Sequence, residues 1–186
     1  MLHRVTGLVM VMMLVLGTAT QADEVRTEWV DYEHEGVTLK GYLAMPAEAE
    51  GELPGVLVVP EWWGLNEYAK QRARMLAGLG YAALACDMYG VGEDGKPKVT
   101  ESGEQAGEWA GALYADRSKL RARAGAGLAV LRDRPEVDGE RLAAIGYCFG
   151  GTTAVDLAYG GAALRAVVSF HGSVKPPMDG DAARLA

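Results

Sequence analysis

Four short runs of this chain are apolar almost without interruption: Val56-Leu57-Val58-Val59, Tyr81-Ala82-Ala83-Leu84-Ala85, Leu142-Ala143-Ala144-Ile145 and Ala166-Val167-Val168-Ser169-Phe170. A strand with one wet face alternates apolar and polar residues, so continuous runs belong to strands buried on both faces of a parallel sheet covered by helices. Helical patterns separate them. Tyr68, Met75, Leu76 and Leu79 share a face before Gly80. Leu113, Leu120, Ala124, Leu128 and Leu131 step by three, four or seven before Pro135, and Thr152 to Tyr159 reads as a third, short helix. Ahead of them all, Val25 to His34 alternates, Glu35-Gly36 supplies a turn, and Val37 to Leu43 alternates again, which is the pattern of a β-hairpin. A hairpin followed by β-α-β-α-β-α-β predicts a doubly wound, mostly parallel α/β sheet with right-handed crossovers. The stretch from Tyr89 to Gly107 reads as loop.

Composition narrows the function. The 186 residues are 49% hydrophobic and 23% charged, which excludes wholesale disorder. The net charge is −7 with no basic stripe, so nucleic acid is not an expected partner. Two cysteines and three histidines, in no ligand-like spacing, predict neither a disulfide framework nor a metal site, and no cofactor is expected. Met1 to Ala22 reads as a secretory signal: His3 and Arg4 precede the apolar run Leu8 to Leu16, and small residues end at Ala22. That run falls well short of the ~20 residues a membrane anchor needs. Residues 23–186 then form one exported domain, periplasmic or secreted, with 17 basic and 25 acidic residues once Arg4 is removed. No membrane association is expected after cleavage, and oligomeric state is left open.

The chemistry is carried by Gly146-Tyr147-Cys148-Phe149-Gly150-Gly151, which leaves one buried strand and opens a helix. This is a nucleophile elbow with cysteine in the nucleophile's place. Gly146 and Gly150 let a strained turn close, and Gly151 lets the helix approach the sheet. The Phe149 N–H and the helix N-terminus favour thiolate and oxyanion alike. The competing reading is a structural cysteine beside packing glycines. A second segment, Pro60-Glu61-Trp62-Trp63-Gly64-Leu65-Asn66, leaves the end of the Val56 strand, where ligands collect in open α/β sheets. Trp62 would donate the second oxyanion-hole N–H, and Glu61 would lie near the thiol, unless Glu61 merely caps the helix starting near Asn66.

An E-x-x-G-x-N segment paired with a G-Y-C-F-G-G elbow resembles the dienelactone hydrolase family, α/β-hydrolases with a cysteine nucleophile, from Gly36 to His171. The resemblance implies a Cys-Asp-His triad, a glutamate at Glu61 that helps generate the thiolate, and an oxyanion hole from the Trp62 and Phe149 N–H groups. It also implies enol-lactone or activated-ester substrates. The family's aspartate and histidine lie beyond the strand that ends at His171, so the chain is expected to be a fragment lacking its last strands, roughly sixty residues. Ala166 to Phe170 then becomes an exposed apolar edge, and the loop from Lys175 leads into a helix at Ala182. The histidines present are His3, His34 and His171; His171 borders the site as pocket wall or core, the competing reading being a base in a place the family does not use.

The family's carboxylate-binding arginine does not follow Asp87-Met88-Tyr89 here. Trp62, Trp63, Tyr89, Trp109 and Tyr114 suggest instead a pocket for a neutral or aryl ester, or ordinary packing. Gly90-Val91-Gly92-Glu93-Asp94-Gly95 matches a dinucleotide fingerprint in letters but is followed by Lys96-Pro97-Lys98 rather than a helix, and reads as a loop over the pocket. The family's strand order, if it holds here, puts the Val56 strand between those of Cys86 and Cys148, which then stand about two strand spacings apart, too far for a disulfide. Two functions follow: a thiol hydrolase of small esters or lactones, or an inactive relative that binds an apolar ligand or partner.

Overall fold

The computed structural model describes residues 24–181. The reading of Met1 to Ala22 as a signal and the predicted helix at Ala182 lie outside the described residues. The hairpin is present as β1 (Val25–His34) and β2 (Val37–Pro46), paired antiparallel along their whole length. Its turn residues Glu35 and Gly36 have φ of 50° and 71°. Two positive φ angles in a two-residue turn match the twist of the flanking strands.

β3 (Leu53–Val59), β4 (Ala82–Ala85), β5 (Val137–Tyr147) and β6 (Ala166–Phe170) complete one six-stranded sheet of order β1-β2-β4-β3-β5-β6. β2 meets β4 antiparallel, and the pairs among β3 to β6 are parallel. The continuous apolar runs in β3 and β4 are buried on both faces, as their sequences require. β6 departs from that reading. Val167 and Ser169 face α4 (Phe149–Tyr159), but no described helix covers Val168 and Phe170, each 44% exposed. Among the described residues β6 is the sheet edge, the exposed apolar edge expected of Ala166 to Phe170.

Two helical corrections have physical causes. α1 (Glu67–Ala77) begins at Asn66, whose side chain accepts from the Ala69 N–H at 3.3 Å, and it ends at Gly78. Its buried face is Ala69, Ala73 and Ala77, not the predicted Tyr68, Met75 and Leu79, which are exposed. Alanines let the helix axis approach Ala44, Val58, Ala83 and Ala85 on the sheet, and larger side chains are turned outward. The second predicted helix is two. α2 (Gly103–Ala115) takes up the end of the expected loop, and α3 (Arg117–Arg132) follows after Asp116. Asp116 leaves the helical conformation (φ −125°, ψ 86°), and its carboxylate caps α3 by accepting from the Lys119 N–H at 3.0 Å. Leu113, Leu120, Ala124, Leu128 and Leu131 are buried as expected, on the face opposite α1, with Leu57, Leu84, Met88, Phe149 and Leu157.

Asp87 ties the sheet to the loop that follows β4. Its carboxylate is fully buried and accepts from the N–H groups of Tyr89 (2.9 Å), Gly90 (3.0 Å) and Lys40 (3.2 Å). Burial pushes this carboxyl above its ordinary range, and the three N–H donors pull against that. Because the folded-state pKa is raised, the group favours the fold most in acid, and that contribution is lost as pH rises through the raised value. Asp87→Ala orphans three N–H groups and is expected to cost about 3 kcal/mol, read as a lowered urea midpoint. Asp87→Asn keeps an acceptor for Tyr89 and Gly90 and should lose less.

A buried charge cluster fastens the segment after β6. Arg121 grips both Asp181 oxygens at 2.7 Å and shares Asp156 with Arg117, whose guanidinium also donates to the Pro176 carbonyl at 3.0 Å. Such pairs hold when every donor is satisfied. No described helix is long and apolar enough to cross a membrane.

Candidate active site

At the end of β5 the chain turns sharply into α4, and Cys148 sits at the corner with φ 53° and ψ −117°. A non-glycine residue there is strained and persists only where its surroundings fix it. The Cys148 N–H donates to the Phe170 carbonyl at 2.9 Å. The glycines do the rest. A Cβ on Gly146 would stand 2.0 Å from the Gly150 oxygen, and one on Gly150 would stand 2.2 Å from the Val59 oxygen and 2.5 Å from the Pro60 oxygen. One on Gly151 would meet the Ser169 Oγ at 2.6 Å. The first closes the elbow, the second seats it on the end of β3, and the third brings α4 down onto β6. Cys148 is half-buried at the N-terminus of α4, and its thiol makes no capping hydrogen bond. There the unpaired N–H groups and the helix dipole favour a negative charge.

Because Gly150 rests on Val59 and Pro60, the elbow abuts the segment that carries Glu61 and Trp62. Among the described residues neither the Trp62 nor the Phe149 N–H has a hydrogen-bond partner. Trp62 is held from its other side, since its carbonyl accepts from the Tyr89 hydroxyl at 3.0 Å. Glu61 is not a helix cap, because Asn66 fills that role; its carboxylate Oε1 lies 3.7 Å from His171 Nε2. His171 is therefore neither a core residue nor a buried wall. It is exposed at the rim, with φ 45°, on the other side of β5 from Glu61.

The predicted aromatic residues separate into two groups. Tyr89 packs on Trp109 (5.2 Å between ring centroids) and Phe149 (5.9 Å), and Tyr114 packs edge-on to Phe149 (5.2 Å). Burial is the main cause that lifts both phenols above their ordinary range, and the neighbouring Cys148 thiol adds to it. Both rings thus pack on the residue that follows Cys148. Trp63 touches Trp62 but lines a separate cavity of about 390 Å³ with Asn66, Val99, Thr100 and Glu101.

Cys86 is wholly buried, and desolvation drives its thiol far up. β3 lies between the strands that carry the two cysteines, as expected, and both are free. Residues 90–98 close on themselves, with the Gly92 N–H donating to Lys96 O and the Lys98 N–H to Gly90 O. The next helix starts only at Gly103, so the fingerprint lacks the helix N-terminus that would receive a phosphate. Among the described residues no group of three His, Cys, Asp or Glu side chains could hold a metal ion. The Glu61–His171 pairing is what the sequence reading missed. Both residues follow strand ends that flank β5, so strand order was the signal that could have joined them.

The strand order and the strained corner between β5 and α4 define an α/β-hydrolase. Comparison with known proteins is more specific. The chain belongs to the dienelactone hydrolase family, whose sequence profile matches residues 39–184. It is 32% identical over 150 residues to a Bradyrhizobium protein named "Probable 2-oxo-3-(5-oxofuran-2-ylidene)propanoate lactonase", covering 81% of this chain and 58% of that one. The solved structure called m3DLH superposes with a TM-score of 0.81 at 44% identity, covering 87% of this chain and 65% of the other. A dienelactone hydrolase-like promiscuous phosphotriesterase from metagenomic libraries gives 0.79 at 43% identity, with the same coverage. The chain therefore spans about three-fifths of the length of these relatives. Membership sets it among ester- and lactone-hydrolase relatives.

Proposed function

We propose that this chain acts on a small ester or lactone through Cys148, forming a thioester. The observation that carries the reading is the Cys148 backbone at φ 53°, a strained corner kept by three glycines that tolerate no Cβ. In the proposed step the thiol proton passes to Glu61 and the thiolate attacks the carbonyl carbon. The oxyanion accepts from the Trp62 and Phe149 N–H groups. Collapse expels the alkoxide or phenolate, which takes the proton back from Glu61, and the acyl group stays on sulfur. Hydrolysis of the thioester is assigned, by family resemblance, to an Asp–His pair. His3, His34 and His171 do not occupy the family's place for that base. With an activated aryl ester, acylation is expected to outpace hydrolysis of the thioester, releasing a burst of about one leaving group per chain.

Substrate class is read from the aromatic cluster next to the elbow. Tyr89, Trp109, Tyr114 and Phe149 pack on one another and on the core, and Gly90-Val91-Gly92 rather than an arginine follows Tyr89. These features support a neutral aryl ester. The burst rate with a neutral aryl acetate should exceed that with a carboxylate-bearing lactone by about tenfold or more, and the reverse order would contradict the assignment. An aryl phosphotriester belongs in the same panel because a relative with that described activity is 43% identical. The second reading, an inactive relative that holds an apolar ligand, draws on the same aromatic packing and requires binding without any burst. Export to the periplasm or beyond is also proposed, on Met1 to Ala22 alone.

A further inference from the structure

We infer that His171 is a positioning residue for Glu61, holding that carboxylate at the rim of the elbow through Nε2. The inference rests on the proposed roles of Cys148 and Glu61. β3, β5 and β6 are adjacent and parallel, so Glu61, Cys148 and His171 leave neighbouring strands at the same end of the sheet. Two contacts fix His171 relative to the elbow. The residue before it, Phe170, accepts the Cys148 N–H at 2.9 Å. The residue after it, Gly172, lies so close to α4 that a Cβ would stand 2.4 Å from the Thr152 nitrogen. His171 itself is left-handed, at φ 45°, a conformation most side chains avoid but His enters more readily.

The contact with Glu61 does little for the fold. The imidazole is 65% exposed and the carboxylate 28% exposed, and ion pairs open to water add little stability. What the contact can do is restrict one carboxylate. At 3.7 Å it is an ion pair when the imidazole is charged, and a small swing of the exposed side chain makes it an Nε2–H···Oε1 hydrogen bond when neutral. Among the described residues it is the ion pair Glu61 makes. A carboxylate held at one oxygen keeps its other oxygen in a narrow range of directions, which its proposed role as proton acceptor for the Cys148 thiol requires.

The test is the second-order rate at which iodoacetamide alkylates Cys148 in the full chain at pH 7, Cys86 being wholly buried and out of reach. Glu61→Gln should slow alkylation about tenfold or more. His171→Ala should slow it about three- to tenfold, and the double variant should be no slower than Glu61→Gln alone, because His171 acts only through Glu61. His171→Gln, whose amide nitrogen reaches the depth of Nε2, should return the rate to within about twofold of the original. His171→Asn tolerates the left-handed backbone but presents its amide at the depth of Nδ1, and should stay slow. This Asn–Gln pair carries the comparison should His171→Ala fail to fold. An unchanged rate in His171→Ala, losses that multiply in the double variant, or equal rescue by Asn and Gln each overturn the inference. A Glu61→Gln chain that reacts normally removes both this inference and the role of Glu61. The nucleophile itself is judged separately, by the ester burst.

Discussion

A Cys148→Ala chain is expected to give no burst of leaving group from an activated aryl ester while unfolding within about 1 kcal/mol of the original chain. The stability expectation follows from geometry. Alanine and cysteine carry the same Cβ, so the strain at φ 53° is unchanged, and the half-buried thiol makes no capping hydrogen bond that would be lost. The burst rate should fall by about a thousandfold or more, since the proposed nucleophile is removed. Cys148→Ser should also lose most of the rate. A thiol gives up its proton far more readily than a serine hydroxyl, which needs a strong adjacent base to act as nucleophile. Stopped-flow absorbance of the released phenolate, beside a urea melt, checks both expectations. A burst that survives in Cys148→Ala would move the chemistry elsewhere.

Gly150→Ala is the expected loss of largest effect on the fold. Its Cβ would lie 2.2 Å from one backbone oxygen and 2.5 Å from another, both at the end of a central strand, and neither can rotate away. Either the elbow lifts from β3 or β3 shifts, and overpacking of this kind against backbone costs about 3–5 kcal/mol. For a chain of this size the melting temperature should drop by about 10–15 °C. Gly111→Ala is the matched control. It lies within α2 with nothing inside 4 Å of the new Cβ, so it should be neutral or stabilising by up to about 1 kcal/mol. Equal melting temperatures for the two variants would show that the elbow is not held by this contact.

What could be read from the sequence was what local pattern determines. The hairpin was legible because its alternation and its Glu35-Gly36 turn are nearest-neighbour properties. The elbow was legible because strand, glycines and helix follow one another without a gap. The buried face of α1 was not, because Ala69, Ala73 and Ala77 are weakly apolar, and what selects them is the nearness of the sheet. The break at Asp116 was hidden because the leucines on either side keep a helical spacing across it. Tertiary pairings were the least accessible. The grip of Arg121 on Asp156 and Asp181, the three N–H donors on Asp87, and the meeting of Glu61 with His171 all depend on which strand ends and helices become neighbours.

The central claim is that Cys148 forms a covalent bond to the substrate's acyl carbon. Its most direct test is the mass of the chain quenched in acid within the burst phase of reaction with an aryl acetate, followed by mapping of the modified peptide. The account predicts one acetyl group per chain on the peptide that carries Cys148, removed by hydroxylamine as a thioester and absent from Cys148→Ala. Unmodified Cys148 during a measurable burst, or an acetyl group on another residue, would contradict it.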